Sequence, residues 1–187
     1  MVSLSELSRS LPERWPALAA QHQWRNLTIF PFVLTDTLPP LDQVQSVNMV
    51  PFQEDKVHIP ITREGGIVLP GGTRERGESL EETLARELDE ELGAVARSAT
   101  LLGYWPCFSR DPQPWRPHLS HPHFLRVVFY GEVRLVKPPT NPDDGEYIAR
   151  IMSLPPSTAV SWLRASARPE LADLHDLAAT LRGGATC

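Results

Sequence analysis

The stretch of sequence that decides the fold is GTRERGESLEETLARELDEELGA, residues 72–94. Its second half predicts an amphipathic helix over residues 79–92. Ser79 and Glu82 have the spacing of a capping box, in which each side chain satisfies a backbone donor at the start of the helix. Gly93 supplies the left-handed residue that commonly ends a helix. The apolar stripe that docks this helix recurs every fourth residue and consists of Leu80, Leu84, Leu88 and Leu92.

Another face of the predicted helix is acidic. Glu87, Glu90 and Glu91 stand at positions i, i+3 and i+4, so their carboxylates lie on one patch of the helix surface. Like charges at this spacing destabilise a helix, and no lysine relieves them in this half-turn. A divalent cation such as Mg²⁺ or Mn²⁺, which prefers carboxylate oxygens, would remove the repulsion. The other interpretation is an acidic face exposed to solvent.

The charged and glycine residues around the helix also have a regular spacing. Five residues lie between Gly72 and Glu78, and seven lie between Glu78 and the pair Arg86-Glu87. After this pair come an aliphatic residue, one further residue, a pair of glutamates, one further residue and a glycine. This pattern resembles the signature of the Nudix hydrolases, the Nudix box, at every charged and glycine position. The one departure is Ala94, because a larger aliphatic residue is usual at that position.

The resemblance is close over the box and looser from residue 44 to about residue 163. It implies an α/β fold, the Nudix-type α/β/α sandwich with a mixed β-sheet and the box as loop–helix–loop. We expect residues 1–40 to be an N-terminal extension that is partly helical and lies outside the core. Residues 41–187 would form the Nudix hydrolase domain with C-terminal helices. The other elements expected from the pattern are an edge strand within 24–35, strands at 44–52, 56–62, 67–69, 100–104 and 124–136, and helices at 157–164 and from Pro169 onward.

The resemblance also implies an activity, the metal-dependent hydrolysis of a nucleoside diphosphate linked to another moiety, as in a nucleoside triphosphate, a nucleotide sugar or a dinucleotide. Bound divalent ions bridge the anionic oxygens of a pyrophosphate and lower the pKa of the water that attacks phosphorus. Glu78 and Arg86 would pair across the loop and hold the geometry of the site, although a plain surface salt bridge is the other interpretation. The implied ligands of Mg²⁺ or Mn²⁺ are the carboxylates of Glu87, Glu90 and Glu91 and the carbonyl oxygen of Gly72.

The residue that accepts a proton from the attacking water is left open by the sequence. Some members of the family use a glutamate from a downstream loop. Glu146, in Asp143-Asp144-Gly145-Glu146, follows the long predicted strand, where it could reach the metal. The alternatives are a carboxylate of the box helix as the base, and a solvated turn at 143–146, which this composition also favours.

Residues that bind the substrate are expected mainly in the proline-rich stretch after the box. Trp115 offers a ring for stacking a base, and Arg110, Arg116 and Arg63 offer positive charge for phosphate. The other interpretation is that the tryptophan packs its loop onto the sheet and the arginines are solvated. The proline typical of ADP-ribose pyrophosphatases and the tyrosine typical of diadenosine polyphosphate hydrolases do not stand at their expected positions downstream of the box, so neither subfamily is indicated.

The composition is that of an ordinary globular protein. The chain has 187 residues, 41% of them hydrophobic, and a net charge of −5, which gives it no general attraction to a nucleic-acid polymer. No apolar run approaches the roughly 18 residues of a membrane span, and two cysteines are too few for a disulfide framework. We therefore expect a cytoplasmic protein that acts on a small-molecule nucleotide, contacts no membrane and no nucleic acid, and could form a homodimer through its N-terminal extension.

Two other functions are compatible with such a fold. A non-catalytic Nudix-like module would bind a nucleotide and regulate another process, but such modules usually lose one or more glutamates of the box. Those glutamates are all present here. Chemistry like that of isopentenyl diphosphate isomerase needs a paired cysteine and glutamate, and Cys107 alone does not indicate it. The intact box therefore favours the hydrolase.

Overall fold

The helix predicted inside the box is confirmed by the computed structural model, which describes residues 3–141 and 147–184. Both halves of its capping box are formed between Ser79 and Glu82, and Gly93 ends it in the left-handed conformation. No helix in these two ranges is long and apolar enough to cross a membrane. The helices of the described residues are α1 (Leu4–Arg14), α2 (Pro16–Ala19), α3 (Leu80–Leu92), α4 (Pro156–Ala165) and α5 (Pro169–Gly184).

The strands join in one mixed sheet. They are β1 (His22–Trp24), β2 (Leu27–Ile29), β3 (Val33–Leu34), β4 (Val44–Gln53), β5 (Lys56–Thr62), β6 (Gly71–Thr73), β7 (Ala94–Ala96), β8 (Thr100–Ser109), β9 (His123–Leu135) and β10 (Ile148–Leu154). Their order is β1-β2-β8-β9-β4-β5-β10, while β3 pairs with β8, β6 with β4 and β7 with β9. Strands β4 and β9 run parallel. A parallel pair needs a long connection, and α3 lies within it.

Alternate residues of the central strands face two different cores. Val47 and Met49 of β4 pack with the leucine stripe of α3. Val50 and Phe52 of the same strand pack on the other side, with side chains of α5 such as Leu174. Because successive residues of a strand point to opposite faces, one strand can serve both cores. This two-sided packing is the predicted α/β/α sandwich.

The N-terminal segment contributes to the core, which corrects the expectation that residues 1–40 lie outside it. Leu7, Trp15 and Leu18 are almost completely buried, and β2 and β3 pair with β8. The indole Nε1 of Trp15 donates a hydrogen bond to Asp176 Oδ2 of α5 at 2.8 Å. The segment is incorporated because its apolar side chains leave water only by packing against α5 and the sheet. A domain boundary at residue 40 stays a prediction.

Some strands differ from the expectation based on the sequence. The strand expected at 67–69 is wrong, because Ile67 makes only an isolated bridge with Ile61 and the paired strand is β6. Strand β8 continues through Pro106, whose carbonyl oxygen still accepts a hydrogen bond from the amide of Phe30. Strand β10 lies in a region expected to be a loop, and its pattern is weak because only Ile148 is fully buried among its residues.

Candidate active site

Gly72 and Glu87 lie in direct contact at the edge of the sheet. Strand β6 pairs with β4 so that Gly72 stands opposite Val47. A Cβ built on Gly72 would lie 2.3 Å from Glu87 Oε1, far inside van der Waals contact. Glu87 is only 8% exposed, and this burial raises its pKa above the ordinary value for glutamate. The missing side chain of Gly72 therefore makes room for a buried carboxylate whose negative charge is poorly solvated.

Arg86 connects the loop of the box to its helix. Its Nε donates to Glu78 Oε1 at 2.8 Å, and its Nη2 donates to Glu78 Oε2 and to the carbonyl of Thr73, both at 3.1 Å. Its Nη1 donates to Glu87 Oε1 at 2.8 Å and to Glu90 Oε2 at 3.3 Å. The hydrogen bonds from Arg86 are the largest cause that lowers the pKa of Glu78 to about 2. The predicted pair of Glu78 and Arg86 is thus formed.

Glu91 contacts the glycine that precedes Gly72. The amide of Gly71 donates to Glu91 Oε2 at 2.9 Å. Gly71 has φ +129°, and a Cβ there would lie 2.1 Å from Val47 O, so no other residue fits without a shift of backbone. The structure thus brings the three predicted glutamates to the same segment: Glu87 and Glu91 touch it directly, and Glu90 is linked to it through Arg86.

The oxygen donors around Gly72 suit a hard divalent cation in their chemistry, because carboxylates and a backbone carbonyl are the ligands that Mg²⁺ and Mn²⁺ prefer. As they stand, no three Asp, Glu, His or Cys side chains within 3–141 and 147–184 are close enough together to hold a metal ion. Arg86 explains part of this, since its Nη1 occupies an oxygen of Glu87 and one of Glu90. The residues fit the cation, and its binding would require these two contacts to open.

The proline-rich loop reaches the loop of the box through one ion pair. Arg116 pairs with Glu75, which lies three residues after Gly72. Trp115 beside it is 81% exposed. The exposed ring does not pack the loop onto the sheet, so one of the two interpretations of Trp115 is wrong. The ring remains available for stacking on a planar ligand.

The other two predicted substrate-binding arginines lie elsewhere. Arg110 donates to the side-chain oxygen of Gln23 on β1. Arg63 follows β5, with its guanidinium 3.9 Å from the centroid of the Tyr147 ring. The four residues therefore do not form one cluster, and their roles stay predictions. Glu146, the predicted general base, lies outside the described residues, and its role also stays a prediction.

Sequence analysis missed a polar row across the middle of the sheet. Ser46 of β4 and Trp105 of β8 are the cross-strand partners of Arg126 in β9. The one sequence signal is a charged residue in the otherwise apolar run 124–128. Its neighbours depend on strand register, which the sequence did not reveal.

Comparisons with known proteins identify the family. A model of the NUDIX domain matches residues 42–176. A curated ADP-ribose pyrophosphatase of Methanocaldococcus jannaschii is 38% identical over 71 residues, a match that spans 38% of this chain and only 40% of the length of that relative. The crystal structure of a Bacillus subtilis pyrophosphohydrolase is similar in fold, with 18% identity and a TM-score of 0.52 over 72% of this chain and 77% of that one. Because the domain model covers well over half of the chain, the protein belongs to the Nudix hydrolase family.

Proposed function

We propose that the protein is a divalent-metal-dependent pyrophosphohydrolase, which cleaves a nucleoside diphosphate linked to another moiety by attack of water on phosphorus. The contact between Gly72 and Glu87 carries this proposal. A packed interior normally has no reason to hold an ionised carboxylate against a bare backbone position, because the burial of that charge is costly. A buried carboxylate beside a glycine whose carbonyl oxygen could act as a further ligand is, in contrast, the kind of donor set that binds one hard cation. Membership of the Nudix family supports the same reaction class.

The chain's own residues divide the work in this proposal. A bound cation would supply neutralisation of the pyrophosphate charge and activation of the attacking water. Arg86 balances the charge of the acidic side chains in the absence of metal, and its two-point contact with Glu78 keeps the guanidinium oriented when those side chains turn to the cation. The water's proton goes to Glu146 or to a carboxylate of α3. The residues that would hold Mg²⁺ or Mn²⁺ are Glu87, Glu90, Glu91 and, through its carbonyl oxygen, Gly72.

ADP-ribose is the first substrate to test. The support for it is that the curated relative is an ADP-ribose pyrophosphatase, whose match to this chain is confined to 71 residues. The sequence does not have the downstream proline typical of that subfamily. A nucleoside triphosphate, a nucleotide sugar and a dinucleotide therefore belong in the same panel.

The test is a panel assay of the full chain with Mg²⁺, with Mn²⁺ and with EDTA, in which phosphate, pyrophosphate and nucleoside monophosphate are quantified. We expect at least one compound to be cleaved with metal and none with EDTA. A Glu87→Gln variant should be inactive, whereas Glu81→Gln, an exposed position of the same helix, should match the wild type. Failure to cleave any compound with either cation would contradict the proposal.

A second candidate is the nucleotide-binding module that does not cleave its ligand. The observation in its favour is that Arg86 already neutralises Glu87 and Glu90, so the site is stable without metal. Isothermal titration separates the two candidates. Nucleotide binding of equal strength with EDTA and with Mg²⁺, together with no turnover, would favour the module over the enzyme.

A further inference from the structure

A row of polar side chains crosses three neighbouring strands in the middle of the sheet. Ser46 of β4 and Trp105 of β8 flank Arg126 of β9 at the same register. Asn48 lies two residues after Ser46 on the same strand and therefore points to the same face. Apart from these four residues, that face of the central strands is lined by the apolar core shared with α5.

Arg126 has no anionic partner among the described residues. No hydrogen bond or ion pair to its guanidinium is present within 3–141 and 147–184, and burial lowers the pKa of Arg126. The titratable groups that act on it are Cys107 and Arg168. Burial raises the pKa of Cys107 to about 11, so the thiol is uncharged at neutral pH. Arg168 carries the same charge as Arg126 and is itself paired with Glu170.

The neighbours of Arg126 are also short of hydrogen-bond partners. Ser46 Oγ, Asn48 Oδ1 and Trp105 Nε1 are all buried and make no hydrogen bond with any described residue. The side chain of Asn48 is 3% exposed and that of Trp105 5%. Native proteins leave few such atoms unpaired, because each one costs free energy. Three unpaired polar atoms around a cation without an anion indicate a place where a ligand completes the hydrogen bonds.

This row begins next to the acidic site. Asn48 is the cross-strand partner of Gly71, and the amide of Gly71 donates to Glu91. The side-chain Nδ2 of Asn48 donates to the carbonyl of Leu69 at 3.1 Å, while its Oδ1 has no hydrogen-bond partner among the described residues. Strand β4 therefore lies between Arg126 and the backbone that Glu91 binds.

We propose that Arg126, Ser46, Asn48 and Trp105 form a subsite that binds an oxyanion group, a phosphate or a carboxylate, of the substrate. The guanidinium, the hydroxyl and the indole N–H would donate to the anion, while Asn48 Oδ1 accepts from a neighbouring hydroxyl or N–H of the same ligand. The inference rests on the proposed function only in assigning the anion to the substrate. If the subsite binds the substrate, the substrate carries a second anionic group besides the phosphate that is cleaved at the acidic helix. A pyrophosphate that extends from the acidic helix to the subsite would also satisfy this requirement.

Thermal unfolding of the metal-free protein in EDTA tests the subsite without turnover. Inorganic phosphate and sodium acetate are titrated separately against sodium chloride of equal ionic strength. At about ten times its dissociation constant, the anion that fits should raise the Tm by about 3–5 °C. A larger shift with phosphate assigns a phosphate group to the subsite, and a larger shift with acetate assigns a carboxylate.

The variant Arg126→Met removes the charge and keeps much of the apolar stem. Its shift with the fitting anion should disappear, whereas Arg134→Met, an exposed position of the same strand, should respond like the wild type. If Arg126→Met does not fold, Ser46→Ala serves instead, because its hydroxyl has no partner to lose, and it should reduce the shift. No shift of the wild type with either anion, or an undiminished shift in Arg126→Met or in Ser46→Ala, would overturn the proposal.

Stability without any anion separates a ligand site from a structural arginine. A cation without a partner destabilises the fold, so the Tm of Arg126→Met should equal or exceed that of the wild type in chloride alone. A marked decrease would assign Arg126 to the scaffold. With the substrate found in the panel assay, the variant should raise KM about tenfold or more and change kcat little. Absence of turnover in that panel would contradict the proposed function and leave the anion titration decisive for the subsite.

Discussion

Glu78 accepts hydrogen bonds from two of the three guanidinium nitrogens of Arg86, Nε and Nη2. The third nitrogen, Nη1, contacts the other glutamates, Glu87 and Glu90. Arg86 is thus held by two nitrogens to Glu78 of the loop and by one nitrogen to glutamates of the helix. An arginine held in this way can release Glu87 and Glu90 to a cation without losing its own position. The pair therefore serves the site by keeping one positive charge fixed beside it, and its removal should affect stability as well as activity.

The first prediction concerns stability and pH. Glu78→Gln should lower the free energy of unfolding of the metal-free protein by about 2 kcal/mol near neutral pH. Because the folded-state pKa of Glu78 is about 2 and its ordinary value is 4.5, the stabilisation is complete above about pH 4.5 and is lost as the pH falls through about 2. Urea unfolding at several pH values should show the gap between wild type and variant closing over this interval. Glu81→Gln should show no gap, and a Glu78→Gln gap that does not depend on pH would contradict the ion pair.

The second prediction concerns the glycine at the edge of the sheet. Gly72→Ala should push the Glu87 carboxylate out of place, since the new Cβ would lie 2.3 Å from its Oε1. We expect metal-dependent activity to fall about tenfold or more, with a loss of stability of about 1–3 kcal/mol from overpacking. Gly184→Ala, where no atom lies within 4 Å of the added Cβ, is the control. Unchanged activity and metal affinity in Gly72→Ala would show that this contact has no part in catalysis.

The third prediction concerns Glu91. Glu91→Gln keeps the shape of the side chain and can still accept from the amide of Gly71, so the fold should survive. Turnover should fall by at least about 10²-fold, because a ligand or a base is lost. The stabilisation of the wild type by Mg²⁺ or Mn²⁺ in thermal unfolding should shrink as well. Asp89→Asn, whose carboxylate pairs with Lys137 instead, should retain both properties.

The fourth prediction separates the two candidate bases. If Glu146 accepts the proton, Glu146→Gln should lower kcat strongly and leave metal affinity nearly intact. If a carboxylate of α3 does so, Glu146→Gln should cost little or should act mainly on KM. The measurement is kcat against pH for Glu146→Gln and Glu87→Gln. A normal kcat with an unaltered acidic limb in Glu146→Gln would exclude Glu146 as the base.

The fifth prediction concerns Trp115. Since the side chain is 81% exposed, Trp115→Ala should change the free energy of unfolding by no more than about 0.5 kcal/mol. If its ring stacks on the base of the substrate, KM should rise about fivefold or more. Trp24→Ala, at another exposed tryptophan on β1, should leave KM unchanged. Equal KM values in the two variants would remove Trp115 from the binding site.

The parts of the fold that the sequence predicts well are those set by neighbouring residues. The helix α3, its capping box at Ser79 and its end at Gly93 depend on contacts within a few positions of the chain. The glutamates of the site were identified for the same reason, because one helix surface brings them together. The pairing of Glu78 with Arg86 is, in contrast, implied by the resemblance to the Nudix box.

The parts that the sequence does not predict depend on contacts between distant segments. Arg126 stands out in an apolar strand, but its partners Ser46 and Trp105 become neighbours only through the register of three strands. The same is true of Trp15, whose burial depends on α5 at the other end of the chain. Loop residues such as Arg110 and Arg63 were grouped by their chemistry, and the paths of their loops carry them to different partners.

The N-terminal segment packs with the last helix, although it lies outside the part of the chain that matches the family. The family match begins at residue 42, yet Trp15 and the amide of Ala17 bind Asp176 and Asp173 of α5. A fragment cut at the family boundary would lose the indole of Trp15 that donates to Asp176, and among the described residues Asp173 would keep only its ion pair with Arg164. The unit that packs as one core is therefore larger than the part that matches the family, because its last helix is hydrogen-bonded to residues outside that part.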